Sequence, residues 1–365
     1  MAAAPEPALA RLVDQVLTAR AQHVALDIRG GGSKVFYGEA ARGEPLDVKA
    51  LAGISSYEPS ELVVTARGGT PLAELEAALA AKGQCLPFEP PRFAPGGTVG
   101  GMVAAGLAGP ARAAAGGVRD YVLGATLLNG KGEVLSFGGQ VMKNVAGYDV
   151  ARALAGSLGI LGVICEVSLK VLPAPAASST LRFEMSQAQA LARLNEWGGQ
   201  PLPLNASAWW EGTLVVRLAG AAAAVQAAAR KLGGETIEAP LAAAFWNGLR
   251  DHGDEFFVGA ARAVERGASL WRLAVPQTAP PLDLSGELLV EWGGAQRWLC
   301  TSTPAAQVRE AAARAGGHAT LFRGADKSAG VFTPLAAPLD RIHRELKRAF
   351  DPEGVFNRGR IYPGL

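Results

Sequence analysis

GGTVGGMVAAGLAG, residues 96–109, is the stretch on which the reading of this chain turns. Its glycines precede and enter a run of small helix formers. Backbone N–H groups and the positive end of a helix dipole therefore face whatever lies in front of them. Alone, the stretch also describes a helix that uses small residues for close packing. A second glycine run lies upstream, Arg29-Gly30-Gly31-Gly32-Ser33, after the strand-like HVALDI. Successive backbone N–H groups in such a run can form a concave anion nest, although a plain glycine turn has the same composition. Downstream, Gly156, Gly159 and Gly162 form a spaced triplet. Glycine serves where backbone bends into positive φ or approaches a ligand closely. In this order, the segments point to one large, flat, phosphate-bearing ligand lying on bare backbone, a dinucleotide. G-x-G-x-x-G occurs nowhere, nor does G-x-x-x-x-G-K-[ST], so neither the Rossmann nor the Walker arrangement explains them.

The 365 residues allow two domains of ordinary size, and 49% hydrophobic against 19% charged residues is a globular composition. A net charge of +2, without runs of like charge, gives no reason to expect nucleic acid as a partner. The opening MAAAPEPALARL lacks the basic and apolar regions of a secretory signal, and no apolar run is long enough to span a bilayer. Cys85, Cys165 and Cys300 are dispersed and read as reduced thiols of a cytoplasmic protein. They cannot hold an iron–sulfur cluster of their own, which needs about four cysteines.

All seven tryptophans lie from Trp197 onward, while the dense glycine runs lie before residue 172. The proline-bearing VLPAPAASST marks the change as a linker or crossover. We expect a dinucleotide-binding domain over 1–172, which the resemblance given below divides into two subdomains of about 1–52 and 53–172. A smaller α+β cap follows over 173–335, and a C-terminal segment, 336–365, returns to the first domain. Residues 6–22 have helical spacing, HVALDI is a strand, and ELVVTARGG is strand and turn. Thr70 is expected to N-cap a helix with Pro71 at its first position, closed at Gly83. YVLGATLLN and EVLSFGG, joined at Lys131-Gly132, read as a hairpin, and VICEVSLKVL as a long strand. Beyond it, LVVRLAG, LWRLAVP, LLVEWGG and RWLC alternate with alanine-rich helices at about 221–232 and 304–315, the pattern of a modest α+β cap.

The series ALDIRGGGS, LVVTARGGTPLAELEAALAAKG, LPFEPPRFAPGGTVGGMVAAGLAGP, GVRDYVLGATLLNGKGEVLSFGG, VMKNVAGYDVARALAGSLGILGVICEVSLKVLP and DPEGVFNRGRIYPGL resembles the vanillyl-alcohol oxidase, or PCMH-type, FAD-binding superfamily. Within it the resemblance is strongest to the FAD-binding subunits of bacterial glycolate oxidases. It implies a PCMH-type two-subdomain FAD domain with an α+β cap. It implies that Arg29, Gly30, Gly31, Gly32 and Ser33 form the pyrophosphate loop. Pro95, Gly96, Gly97, Thr98, Val99, Gly100 and Gly101, with Met102, Ala105 and Gly106, would contact diphosphate, ribityl chain and flavin. Gly116, Arg119, Asp120 and Gly124 would line the isoalloxazine and ribityl side. Gly156, Gly159, Gly162, Val163 and Ile164 would wrap the adenine end, and Asn357 would return the C-terminus to the flavin. Members with covalent flavin carry His or Cys beside these loops. Here Ser33, Lys34 and residues 96–99 stand there, which implies noncovalent FAD. The implied partners are a sister FAD-containing catalytic subunit and an iron–sulfur subunit.

Oxidation of a 2-hydroxy acid needs a base for the hydroxyl proton and a cation for the carboxylate. Arg272 in LWRLAVP and Arg323 in LFRGADK are the carboxylate candidates, read as strand ends, with a surface ion pair as the plainer role. Lys143 and Tyr148 in KNVAGYD are candidates for approach to the flavin, against a local structural role. Of the four histidines, His23 is read as starting a strand and His343 as part of a basic helix. His252 is a candidate base, against an exposed cap or turn, and His318 precedes a strand. Related hydroxyacid dehydrogenases hold a metal with a close histidine pair; none is present, so no metal is expected. Trp209, Trp210, Trp271 and Trp292 are expected to pack the cap. Two functions remain: a catalytic FAD dehydrogenase of small 2-hydroxy acids, and a flavin-bearing accessory subunit relaying electrons. A self-contained alditol or oligosaccharide oxidase is disfavoured by the missing covalent-flavin residues.

Overall fold

A computed structural model describes residues 6–139 and 149–365. Helix α1 (Pro7–Ala21) buries Ala8, Leu12, Val16 and Ala19 along one stripe. Pro sits in its first turn, where a missing N–H costs nothing. The chain then reverses at His23, whose φ of 55° places it in a left-handed turn rather than at the start of a strand. β1 (Leu26–Arg29) consequently begins later than HVALDI does and runs parallel to β2 (Glu44–Asp47). The C-terminal segment flanks β1 on its other side: Leu26 N donates to Val355 O at 2.7 Å, and Asn357 N donates to Leu26 O at 2.9 Å.

Next come β3 (Ile54–Glu58), β4 (Val63–Arg67), α2 (Leu72–Ala80), the short β5 (Gln84–Cys85) and α3 (Val99–Ala105). Single turns α4 (Arg112–Ala115) and α5 (Val118–Tyr121) lead into β6 (Val122–Leu128) and β7 (Val134–Gly138). Then follow α6 (Val150–Ala153), β8 (Val163–Lys170) and β9 (Leu172–Pro173), which pairs with β5. β3, β4, β8, β6 and β7 stand side by side in that order as one antiparallel sheet. The expected hairpin is β6–β7, with Gly132 at φ 82° in its turn. β8 is buried on both faces. Val163 and Cys165 pack with α1, while Ile164, Val167 and Leu169 pack with α2 and α3. Thr70 does not cap α2: its hydroxyl accepts from Gly53 N at 3.0 Å and reaches Gly53 O at 3.1 Å, and Pro71 occupies the cap position. The loop before the helix competes for the hydroxyl and wins, because Gly53 offers both a donor and an acceptor.

The cap consists of β10 (Ala177–Glu184), α7 (Gln187–Gly198), β11 (Leu204–Trp210), β12 (Thr213–Gly220), α8 (Ala222–Leu232) and β13 (Glu235–Ile237), continuing through α9 (Ala239–Asp251), α10 (Glu255–Glu265), β14 (Ser269–Ala274), β15 (Glu287–Glu291), β16 (Gln296–Thr301), α11 (Ala305–Arg314) and β17 (His318–Arg323). Its strands make one eight-stranded antiparallel sheet, ordered β13-β10-β12-β11-β15-β16-β14-β17. This is a larger layer than the modest cap expected from the sequence, because strands far apart in the chain join edge to edge through β11 and β15. α12 (Ala337–Phe350) then brings the chain back. Lys347 Nζ bonds to Asp351 Oδ2 at 2.6 Å, Ile160 O at 2.7 Å and Phe356 O at 2.8 Å, all under cover. That buried pair fastens the terminal segment beside the Gly159 turn.

Candidate functional site

A cavity of about 130 Å³ opens at the end of β1. Residues 27–35 form one wall; Thr98, Gly100, Gly101, Ala104 and Ala105 of the α3 segment form another. Leu158, Gly159, Gly162, Val163 and Ile164 complete it with Asn357 and Arg360. The two glycine loops touch backbone to backbone here. A Cβ on Gly31 would lie 1.4 Å from Gly96 O, and one on Gly30 would lie 2.4 Å from Thr98 Oγ1. At Gly31 the facing backbone would have to move, and at Gly30 the Thr98 side chain would have to give way. The amides of Gly31, Gly32 and Ser33 donate to no described residue, in a segment where backbone N–H groups are normally paired. Thr98 caps α3, its Oγ1 accepting from Gly101 N at 3.2 Å.

Asn357 holds the wall together. Its Oδ1 accepts from Ile28 N at 2.8 Å, its Nδ2 donates to Leu158 O at 2.6 Å, and a Cβ on Gly159 would meet that Nδ2 at 2.7 Å. Arg360 donates to Val35 O at 2.7 Å and to Glu39 O, bracing the far side of the loop. Arg29 pairs with Asp27 at 2.6 Å.

The other sequence-derived cofactor residues lie elsewhere. Val99 and Met102 point into the protein core, Gly106 ends α3 at φ 65°, and Gly156 packs against Gly106. Asp120 accepts from Gly117 N at 2.8 Å beside Gly116 and Arg119, a local cap at α5. Gly124 faces Gly139 across the hairpin, in a separate groove. Lys143 and Tyr148 fall outside the described residues.

In the cap, three sequence candidates converge. Arg272 lies within β14 rather than at its end, Arg323 ends β17, and His252 follows α9. Neither arginine makes an ion pair with a described residue. Arg272 Nη2 meets Tyr37 Oη at 3.2 Å, and the Arg323 guanidinium lies 3.6 Å from the Phe36 ring centre. His252 does end a helix, at φ 59°, but its ring is not an exposed cap. It stacks on Phe257 at 3.5 Å and touches Phe93, Trp298 and Phe322, with Nδ1 enclosed and unpartnered. Burial, then the charges of Arg323 and Arg272, hold its pKa well below the ordinary histidine value. Burial pushes Glu291, beside it on the same small cavity, up to about 7, against the bonds it accepts from Trp298 and Gln296. Lys34 joins the two sites. It lines the glycine cavity, its Nζ is 5.6 Å from the Phe93 ring, and burial lowers it to about 8, opposed by Asp251 and Glu76.

The comparisons accord with this geometry. Residues 8–138 match the family model described as an FAD binding domain. Glycolate oxidase subunit GlcE of Escherichia coli is 48% identical over 354 residues, 97% of each chain. The chain belongs to that PCMH-type FAD-binding family. Glycolate oxidase subunit GlcD of Bacillus subtilis is 30% identical over 172 residues, 46% of this chain and 36% of that one. An alkyldihydroxyacetonephosphate synthase structure shares the fold, with a TM-score of 0.65 at 15% identity, over 95% of this chain and 73% of that one.

The member described here is an FAD-dependent oxidoreductase, and its cavity fits the cofactor's most demanding part. Amides at Gly31, Gly32 and Ser33 that donate to no described residue, in a loop where Gly31 lies against bare backbone, suit a diphosphate. When bound, FAD supplies two-electron oxidation. The chain's own contribution is a nest held open by Asn357 and Arg360. Sequence reasoning passed over Arg360, although it stands in the quoted VFNRGR. It also missed Phe36, Tyr37, Phe93 and Glu291, whose residue types carry no local signal of a site. No described helix is long and apolar enough to cross a membrane.

Proposed function

We propose that this chain is the FAD-binding subunit of a complex that oxidises glycolate, or a related small 2-hydroxy acid, to the 2-oxo acid. FAD sits noncovalently between the glycine loops of residues 1–172. The 173–335 cap faces the substrate, and 336–365 closes the cofactor wall. Electrons pass from flavin to an iron–sulfur subunit, beside a sister FAD-containing catalytic subunit. The observation that carries the reading is the 48% identity to the glycolate oxidase subunit, which extends across FAD domain, cap and C-terminal segment alike. The three dispersed cysteines support placing the iron–sulfur centres in another chain. Arg272 and Arg323 are the residues that hold the substrate carboxylate, and Lys143 and Tyr148 approach the flavin.

A second reading, a flavin-bearing relay subunit without its own chemistry, is favoured by one observation. The cavity beside His252 measures about 10 Å³, room for about one water. Purification of the complex tests both. The chain should co-purify with a larger flavoprotein and a cysteine-rich subunit, and acid should release its FAD. Rapid bleaching of the isolated subunit by glycolate would defeat the relay reading. Absence of FAD, or flavin that stays on denatured protein, would defeat the noncovalent cradle.

A further inference from the structure

The turn that follows the glycine nest is held in shape mostly from outside. Over residues 34–39 its own backbone supplies Val35 N to Gly32 O at 3.3 Å and Tyr37 N to Lys34 O at 3.0 Å. Its carbonyls are taken by side chains from the far end of the chain. Lys327 Nζ donates to Phe36 O at 2.8 Å and to Gly38 O at 2.7 Å. Arg360 donates to Val35 O at 2.7 Å and to Glu39 O. The bonding is returned, since Glu39 Oε1 accepts from Val331 N at 2.6 Å. Lys327 and Val331 belong to the cap loop that follows β17, residues 324–331. That loop is braced from behind by α11, where Arg309 donates to Ala329 O at 2.6 Å and to Gly330 O at 2.5 Å.

We propose that Lys327 is a positioning residue for the cofactor: by fixing the 34–39 turn it sets the exit of the glycine nest, so a cap residue outside the cavity governs how tightly the cavity holds FAD. The inference rests on the FAD reading above and adds a coupling between cofactor and cap. Lys34 and Val35 line the glycine cavity directly after the Gly31, Gly32 and Ser33 amides, whereas no residue of 324–331 lines it. Tyr37 packs on Phe322 and Phe332, which holds the turn near the cap. Such packing is non-directional and leaves the turn free to rotate. Direction comes from the bonds to Phe36 O and Gly38 O, on either side of Tyr37. Lys327 forms no ion pair with a described residue, and an ammonium drawn from water onto neutral carbonyls is a costly fastener for a surface turn. Burial lowers its pKa, the Arg360 charge adds to this, and Glu39 opposes it. Without Lys327 both carbonyls turn to water and the turn gains freedom. FAD must then order the turn as it binds, which weakens binding.

The test compares full-length apoprotein and FAD-loaded protein. Titration with FAD, followed by flavin fluorescence, gives the affinity, and hydrogen exchange of the 324–331 amides gives the opening of the cap loop. Lys327→Met should weaken FAD binding at least about tenfold, with the circular dichroism of the fold unchanged. Coupling between two events is reciprocal, so in wild-type protein FAD should slow exchange at Gly330 and Val331 by a factor of similar size. A lysine that only stabilised the fold would leave that exchange indifferent to FAD. Lys327→Met should remove the protection. Wild-type FAD affinity in a folded Lys327→Met protein overturns the proposal. So does exchange at 324–331 that is the same in apo and FAD-saturated wild-type protein, a measurement that needs no variant to fold. Either result, in protein that binds FAD, leaves the proposed function standing, whereas wild-type protein that takes up no FAD would sink both.

Discussion

Gly31→Ala is the sharpest probe of the cradle. The new Cβ would lie 1.4 Å from Gly96 O and 2.2 Å from Gly96 C, whereas real Cβ contacts essentially never fall under 3.0 Å. The loops must therefore separate by at least 3.0 − 1.4 = 1.6 Å, and both partners are backbone, which no rotamer change relieves. A displacement of that size moves the Gly31, Gly32 and Ser33 amides out of hydrogen-bond reach of a diphosphate held by the other wall. Hydrogen bonds to a charged group contribute ~1.5–3 kcal/mol each, so losing two removes ~3–6 kcal/mol, or a factor of ~10²–10⁴ in affinity. FAD content after purification and a fluorescence titration of apoprotein with FAD measure this, with circular dichroism to confirm the fold. Gly198→Ala is the control, since an added Cβ there meets nothing within 4 Å. Wild-type FAD affinity in a folded Gly31→Ala protein would refute the claim that these loops hold the cofactor.

Two further outcomes follow from buried charge. Lys347→Met leaves Asp351 buried without its cation and should cost ~3–5 kcal/mol, read as a lower thermal midpoint and faster loss of FAD, because Phe356 and Asn357 are anchored through that pair. Glu291 has a folded-state pKa raised from 4.5 to about 7, so the folded state binds its proton more tightly than the unfolded state does. The stability it contributes is full below about pH 4.5 and disappears as pH rises through about 7. Asp254, raised to about 6, acts in the same direction. The thermal midpoint should therefore decline between pH 5 and 8, and Glu291→Gln should flatten part of that slope. An identical slope in the variant would show that Glu291 is not protonated in the fold.

Much of the wall of the glycine cavity was legible because it is built from backbone. In RGGGS, GGTVGG and the Gly159–Gly162 spacing, Gly31, Gly100 and Gly162 lie against other backbone while Gly32, Gly96 and Gly159 have positive φ, and a composition signal of that kind survives without coordinates. The hairpin at Gly132 and the α1 stripe were legible for similar local reasons. Thr70 was misread because its rival partner, Gly53, is brought there by β3 and β4. His23 was misread because the helix C-terminus, not the following strand, sets its φ. The size of the cap sheet was hidden, since β10 to β13 and β14 to β17 join through a contact that no local pattern encodes.

The sequence by itself determined the cofactor and the family and set the expectation of where FAD rests, since the glycines needed for a bare-backbone cradle must be written in the chain wherever it folds. It could name Arg272, Arg323 and His252 only as separate candidates. The tertiary structure put Arg272 and His252 on one small cavity with Phe93 and with Glu291 from β15, and brought Tyr37 to Arg272 and Arg323 to the Phe93 ring beside it. Charge balance and the enclosure of a nitrogen are properties of what surrounds a residue. In this protein those surroundings come from segments more than two hundred residues apart, such as Tyr37 and Arg272, whose separation is 235.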